Sequence, residues 1–260
     1  MKESLTIIKV GGKIVEAPDT LYKLLSDFAA IEGKKLLVHG GGRSATRLAS
    51  QLGIETQMVD GRRITDEAML EVVTMVYGGL VNKRIVAGLQ ANGINALGIT
   101  GADMDIIRSV KRPVTPTGID YGWVGDVNRV DGEALARLIE GDIIPVIAPL
   151  THDGNGHILN TNADTMAAAT ATALARHYSV RLIFCFEKEG VLLDENDDST
   201  VIPQLDRNRY AELKARGIIA GGMIPKLDNA FATIDAGVAE VVITKAANIA
   251  TPTLGTTIHN

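Results

Sequence analysis

A single cysteine, Cys185, stands in 260 residues, so no intrachain disulfide can form. Its place in the apolar run Arg181-Leu182-Ile183-Phe184-Cys185-Phe186 predicts a core residue and not a reactive thiol. Clustered positive charge is missing too. The 26 Lys and Arg are scattered and outnumbered by 31 Asp and Glu, for a net charge of -5, which leaves no basic footprint for nucleic acid. Lys2 and Glu3 precede only a short apolar strand, no signal-peptide core follows, and no apolar stretch approaches the roughly 18 residues of a membrane span. A cytoplasmic protein with no membrane and no nucleic-acid partner is expected. Two phosphate-binding signatures are also absent. Neither G-x-x-x-x-G-K-[ST] nor G-x-G-x-x-G occurs, against a P-loop fold and a standard dinucleotide site. The acidic cluster Asp194-Glu195-Asn196-Asp197-Asp198 reads as a solvated loop and not as a metal site.

What remains is an ordinary globular composition, 46% hydrophobic and 22% charged, sufficient for a large core in one domain or two lobes. Apolar runs of strand length, Leu5–Val10, Lys35–His39, Ile94–Thr100, Ile143–Ala148, Arg181–Phe186 and Glu240–Thr244, are rich in Val, Ile and Leu on both faces, as covered parallel strands require. Between them, Thr20–Glu32, Ser44–Leu52, Thr65–Asn92, Asp131–Glu140, Ala163–His177 and Lys226–Ala236 read as helices. The order predicts an α/β, three-layer αβα sandwich with an open, mostly parallel central sheet, its ligands outside the carboxyl ends of the strands. Arg108–Asn128 and Pro149–Thr161 read as hairpins projecting beyond the sheet. The lobe boundary is placed between Asn162 and Ala175, giving residues 1–170 and 171–260.

Phosphate must then be held by other means. Gly11-Gly12 and Gly40-Gly41-Gly42 each follow a predicted strand, where backbone amides can face an anion. Lys9, late in an apolar strand, either reaches water or meets an anion, and the anion is favoured. Three consecutive glycines make either a flexible turn or a close approach to a ligand, the latter favoured on entropic grounds. In Asp60-Gly61-Arg62-Arg63-Ile64-Thr65-Asp66 one arginine is a candidate for a bidentate carboxylate contact, and Thr65 or Asp66 caps the next helix. Asn160 and Asn162 present amides to a ligand, or Asn162 caps a helix. Asp164 suits the first helical turn and pairs with lysines or a metal, whereas Lys226 at a helix start opposes the dipole, suggesting an anionic partner.

Taken in order, Ile8-Lys9-Val10-Gly11-Gly12, Val38-His39-Gly40-Gly41-Gly42, the Asp60–Asp66 segment, Leu159-Asn160-Thr161-Asn162-Ala163-Asp164 and Gly221-Gly222-Met223-Ile224-Pro225-Lys226 resemble the amino-acid kinase superfamily, most closely its N-acetylglutamate-phosphorylating branch. The resemblance runs from Leu5 to about Ile258. It implies an N-terminal lobe for acylated glutamate and dimerisation, and a C-terminal lobe for ATP. It makes Lys9 and Lys226 the transition-state lysines, Asp164 their organiser, and Gly11 and Gly12 the loop under the phosphoryl group. Gly41, Gly42, Arg63, Asn160 and Asn162 fall to the amino-acid substrate. Nucleotide contacts fall to Glu187, Lys188, Gly190, Val191, Leu192, Ile218, Ile219 and Ala220. Many relatives have Ser/Thr-Asp and then Val-x-Gly-Val after the fifth strand, where this chain has Phe186-Glu187-Lys188-Glu189-Gly190-Val191.

The implied reaction is ATP-dependent phosphorylation of the side-chain carboxylate of N-acetyl-L-glutamate in arginine biosynthesis. Mg2+ is held mainly by the ATP phosphates, and no metal site is built by the protein. With only a few residues ahead of its first strand, the chain lacks the N-terminal helix of the hexamer-forming, arginine-inhibited branch, so the resemblance implies a homodimer insensitive to arginine. The alternatives are N-succinylglutamate or another small carboxylate or carbamate as acceptor, or a non-catalytic amino-acid-binding regulatory module. Retention of both lysines and Asp164 opposes the last.

Overall fold

The computed structural model describes residues 2–59, 61–251 and 254–259, so Asp60 of the arginine-bearing segment lies outside the described residues. All six anticipated strands are present. They are β1 (Ser4–Val10), β2 (Lys34–His39), β3 (Ala96–Ile99), β4 (Ile144–Ile147), β5 (Ser179–Phe186) and β7 (Glu240–Lys245), joined by two short ones, β6 (Gln204–Leu205) and β8 (Thr256–Ile258). The sheet runs β6-β8-β7-β5-β1-β2-β4-β3, parallel throughout except that β8 is antiparallel to β7. β1 lies between β2 and β5, so the chain winds outward from it in both directions. The crevice above its carboxyl end is where such a sheet accommodates a ligand.

Alternation along β1 sorts its side chains between two cores. Leu5 and Ile7 join the layer under helices Ala163–Leu174 and Met223–Asp235, whereas Ile8 and Val10 join the layer under Pro18–Ala30 and the helix Glu67–Ala91. The proposed division after residue 170 falls inside Ala163–Leu174. Cys185 is fully buried, as anticipated, and burial pushes its thiol up to about 12.

The helices carry recognisable starts. Asp66, Asp131 and Asn162 each accept a hydrogen bond from a backbone amide of the first turn. Glu67–Ala91 is continuous, with a π-helical stretch over Thr74–Val81. By length and composition alone it would suffice to span a membrane, as a buried core helix also can. Its apolar stripe, including Met69, Val72, Val76, Ile85 and Leu89, is packed into the core.

The two anticipated hairpins form one small four-stranded sheet. Ile107–Lys111 pairs antiparallel with Gly125–Val130, Leu150–His152 with Ile158–Asn160, and the pairs join at Arg108 and His152. This sheet hands Asn160 directly to the start of helix Ala163–Leu174.

Candidate active site

Lys9 lies on the same face of β1 as Leu5 and Ile7, the face that helix Ala163–Leu174 covers. Asn162 caps that helix, its Oδ1 accepting from the amides of Asp164 at 2.9 Å and Thr165 at 3.0 Å. The cap fixes Asp164 in the first turn, where the helix dipole favours a carboxylate. The Lys9 ammonium comes to 2.7 Å from Asp164 Oδ1, with side-chain exposures of 9% and 27%.

In the neighbouring strand β5, Phe184 stands opposite Lys9, so Phe186, two residues further on, projects on the same side at the strand end. The Lys9 ammonium is 5.6 Å from the Phe186 ring centroid and the Lys226 ammonium is 3.8 Å from it. The two cations therefore stand within the sum of those distances of each other, although one comes from β1 and the other from the first turn of helix Met223–Asp235. Lys226 is half-buried. Burial lowers its pKa, Asp164 raises it, Lys9 lowers it and Glu187 raises it.

Two glycine loops meet above the sheet. A Cβ on Gly40 would lie 3.2 Å from the Gly12 amide nitrogen, and one on Gly12 would lie 3.4 Å from that of Gly42. The contact at Gly12 is ordinary van der Waals contact, whereas a side chain at Gly40 would press on the Gly12 backbone, so glycine at position 40 lets the two loops stack closely. Gly40 N donates to Val10 O at 2.8 Å, tying the second loop to the first strand. Gly41 touches Tyr77 from the π-helical stretch, where an added Cβ would sit 2.8 Å from the ring.

Beside these loops is a cavity of about 180 Å³, whose lining includes Gly40, Gly41, Gly42, Arg62, Arg63, Tyr77, Asn160 and Asn162. Arg63 is buried and locked, donating to Gly42 O at 2.8 Å, Thr46 Oγ1 at 2.9 Å and Thr56 Oγ1 at 3.3 Å. Asn160 Nδ2 donates to Thr65 Oγ1 at 2.9 Å. Arg62, half-buried on the same wall, makes no ion pair among the described residues, since the nearby Asp126 is engaged by Arg112. Burial, and then Arg112, lower its pKa.

A second cavity, about 420 Å³, shares Gly42 and Arg63 with the first and continues past Gly11, Gly12, Phe186 and Glu187. Glu187 pairs across it with Lys13. A third, about 460 Å³, lies behind and is lined by Gly190, Val191, Leu192, Ile218, Ile219 and Ala220, and by the Gly221-Gly222 turn leading to Lys226. Glu187 and Lys188 are not on that wall, and Lys188 instead donates to Glu195 O at 2.9 Å, bracing its own loop.

The structure thus brings Lys9, Lys226, Asp164, Gly11 and Gly12 to one end of the crevice. Gly41, Gly42, Arg63, Asn160 and Asn162 gather in one cavity there, and six of the eight nucleotide candidates line another. Of the two readings of Asn162, its Oδ1 does the capping, while the residue also borders the cavity. Sequence reasoning missed Phe186 and Tyr77. Phe186 was hidden in an apolar run, and only the strand register puts it on Lys9's side. Tyr77 lies inside a helix, and its contact with Gly41 is purely tertiary. Two cations, of which only Lys9 is paired with a carboxylate among the described residues, converging with glycine amides beside a guanidinium-lined cavity, suit transfer of an anionic group between two anionic ligands.

Residues 4–245 match the amino acid kinase family. The chain is 68% identical over 249 residues to the acetylglutamate kinase of Phocaeicola vulgatus, covering 96% of each chain. It is 66% identical to that of Parabacteroides distasonis, covering 95% of this chain and 96% of the other. Among solved structures, smu.665 from Streptococcus mutans aligns with a TM-score of 0.77 at 27% identity over 98% of both chains. The chain belongs to the amino acid kinase family and, within it, to the acetylglutamate kinases.

Proposed function

We propose that this enzyme phosphorylates the side-chain carboxylate of N-acetyl-L-glutamate with ATP, giving an acyl phosphate and ADP, in arginine biosynthesis. The observation that carries the reading is the meeting of Lys9 and Lys226, from opposite ends of the chain, over Phe186 beside Asp164. Residues 1–170 supply the acylglutamate cavity and residues 171–260 the cleft for ATP.

The acceptor carboxylate, with an ordinary pKa of about 4.3, is ionised at neutral pH, so no general base is needed. What the reaction needs is alignment and neutralisation of charge on the equatorial oxygens of a loose transition state. Lys9 and Lys226 supply positive charge, and the amides of Gly11 and Gly12 supply donors at the loop beneath the moving phosphoryl group. Asp164 holds Lys9 in place through their 2.7 Å contact. Among the described residues no group of three His, Cys, Asp or Glu side chains is placed to hold a metal. Mg2+ carried by the nucleotide phosphates would neutralise phosphate charge when bound.

In the substrate cavity, Arg63 faces the carboxylate of the amino acid, with Gly41, Gly42, Asn160 and Asn162 around it. A homodimer is proposed on the exposed apolar residues Met75 and Leu80 of helix Glu67–Ala91, and the cytoplasm is proposed because ATP is made available there. A coupled ADP-release assay with glutamate, acetylglutamate, succinylglutamate, aspartate and carbamate tests the assignment. Acetylglutamate should stimulate ADP release, and turnover with unacylated glutamate alone would refute the acceptor.

A second acceptor is favoured by Arg62. A half-buried guanidinium without an ion pair among the described residues, lining the cavity beside Arg63, offers a second carboxylate contact. N-succinylglutamate carries that extra carboxylate on its acyl group. In the same assay, Arg62→Leu should raise the KM for succinylglutamate and leave that for acetylglutamate nearly unchanged. Equal effects on both acceptors would remove this reading.

A further inference from the structure

We propose that Phe186 is a positioning residue for phosphoryl transfer: its ring face gathers the Lys9 and Lys226 ammonium groups while leaving their charge available to the transferring phosphoryl group. The proposal rests on the assignment of those lysines above.

Two ammonium groups aimed at one point repel each other when no anion lies between them. A carboxylate placed between them would relieve the repulsion but would also compete with phosphate for both. Asp164 does this for one cation only, since it contacts Lys9 at 2.7 Å and makes no ion-pair contact with Lys226. Lys226 instead has the face of Phe186, 3.8 Å from its nitrogen to the ring centroid, and the same ring lies 5.6 Å from Lys9. An aromatic face attracts a cation through its quadrupole yet carries no net charge, so it orients the ammonium without neutralising it. The ring is itself held, with Phe184 stacked on it at 6.2 Å between centroids. The charged groups facing Lys226 are Asp164 from helix Ala163–Leu174, Lys9 from β1 and Glu187 just past β5. Glu187 is drawn towards Lys13, which leaves the ring as the nearest attractive surface.

The decisive test keeps the shape of the side chain and changes only its electrostatics. Phenylalanine analogues carrying one, two, three or more ring fluorines are incorporated at position 186 of the full chain, and kcat, both KM values and the pH dependence of kcat are measured. Successive fluorination weakens the ring face, so kcat should fall stepwise by about fivefold or more across the series, with the KM for acylglutamate unchanged. The alkaline limb of the kcat profile should move to lower pH, because the charged form of Lys226 loses an attraction. Phe186→Leu should reproduce the kcat loss and Phe186→Tyr should restore it. A flat fluorination series with an unmoved alkaline limb would overturn the proposal. Lys9→Met and Lys226→Met, assayed in parallel, separate the two readings. If they lose turnover while the fluorinated series does not, the role of Phe186 alone fails. If they too remain active, the lysine assignment fails and the proposal with it.

Discussion

The Lys9 ammonium stands 2.7 Å from Asp164 Oδ1, linking the end of the first strand to the first turn of helix Ala163–Leu174. Lys9 is only 9% exposed, so removing its partner leaves a nearly buried cation with no compensating charge. Asp164→Asn preserves shape and removes that charge. Breaking such a pair costs about 3 kcal/mol, and the lysine is no longer held for catalysis. The variant is expected to lose several degrees of melting temperature, measured calorimetrically, and about a hundredfold in kcat. A variant that melts normally and turns over normally would show that Asp164 organises nothing.

The lysines themselves should act on the chemical step. Lys9→Ala and Lys226→Ala each remove a cation from the phosphoryl end of the crevice and touch neither Arg63 nor Asn160. Each is expected to lower kcat by roughly two or more orders of magnitude, in line with loss of one transition-state contact, while the KM for acylglutamate changes little. Steady-state kinetics in both substrates checks this, and a pure KM effect would reassign the lysines to ground-state binding.

Gly41 is expected to be sensitive at the acceptor side. A Cβ there would stand 2.8 Å from the Tyr77 ring, which forms the cavity wall beside Arg63. Tyr77 must then move, which alters the wall of the cavity proposed for the acceptor. Gly41→Ala should raise the KM for acylglutamate about tenfold and leave that for ATP unchanged, since the cleft lined by Ile218–Ala220 is separate. An equal rise in both constants would point to general collapse of the crevice.

Much of this geometry was legible because covered parallel strands announce themselves as unbroken apolar runs, and all six such runs became strands of the main sheet. Helix Arg207–Ala215 was not legible. Only Tyr210 and Leu213 are buried in it, so its apolar periodicity is too thin to read. The lysines, glycines and Asp164 could be named because charge or missing side chains are conspicuous in apolar surroundings. Phe186 could not, since an aromatic residue ending an apolar strand looks like core until the register with Lys9 is known. The partner of Arg63 is a similar case. A carbonyl, Gly42 O, and two threonine hydroxyls hold its guanidinium, and among the described residues no carboxylate pairs with it, so no complementary charge there points to it.

His39 gives the fold a specific dependence on acid. It ends β2 directly ahead of the glycine loop, fully buried, with Nδ1 2.8 Å from Gly40 O and Nε2 3.2 Å from Asn82 Nδ2. The bonding fits a neutral ring that donates from Nδ1 to the carbonyl and accepts at Nε2 from the amide. Burial lowers its pKa from 6.5 to about 4, the Gly40 carbonyl opposes the shift, and Lys83 adds to it. The folded value lies below the unfolded one, so the unfolded state takes up this proton first. The contribution is therefore complete above pH 6.5, declines as pH falls towards about 4, and is lost below that. Its total is on the order of 3 kcal/mol, at about 1.4 kcal/mol for each pH unit in the window. Urea unfolding across pH 7.5 to 4 (about one measurement per half unit) should show wild type losing more stability than His39→Gln by that margin, with the variant less stable at the neutral end. Parallel stability curves for the two proteins would mean that His39 is protonated, or exposed to water, in the native state.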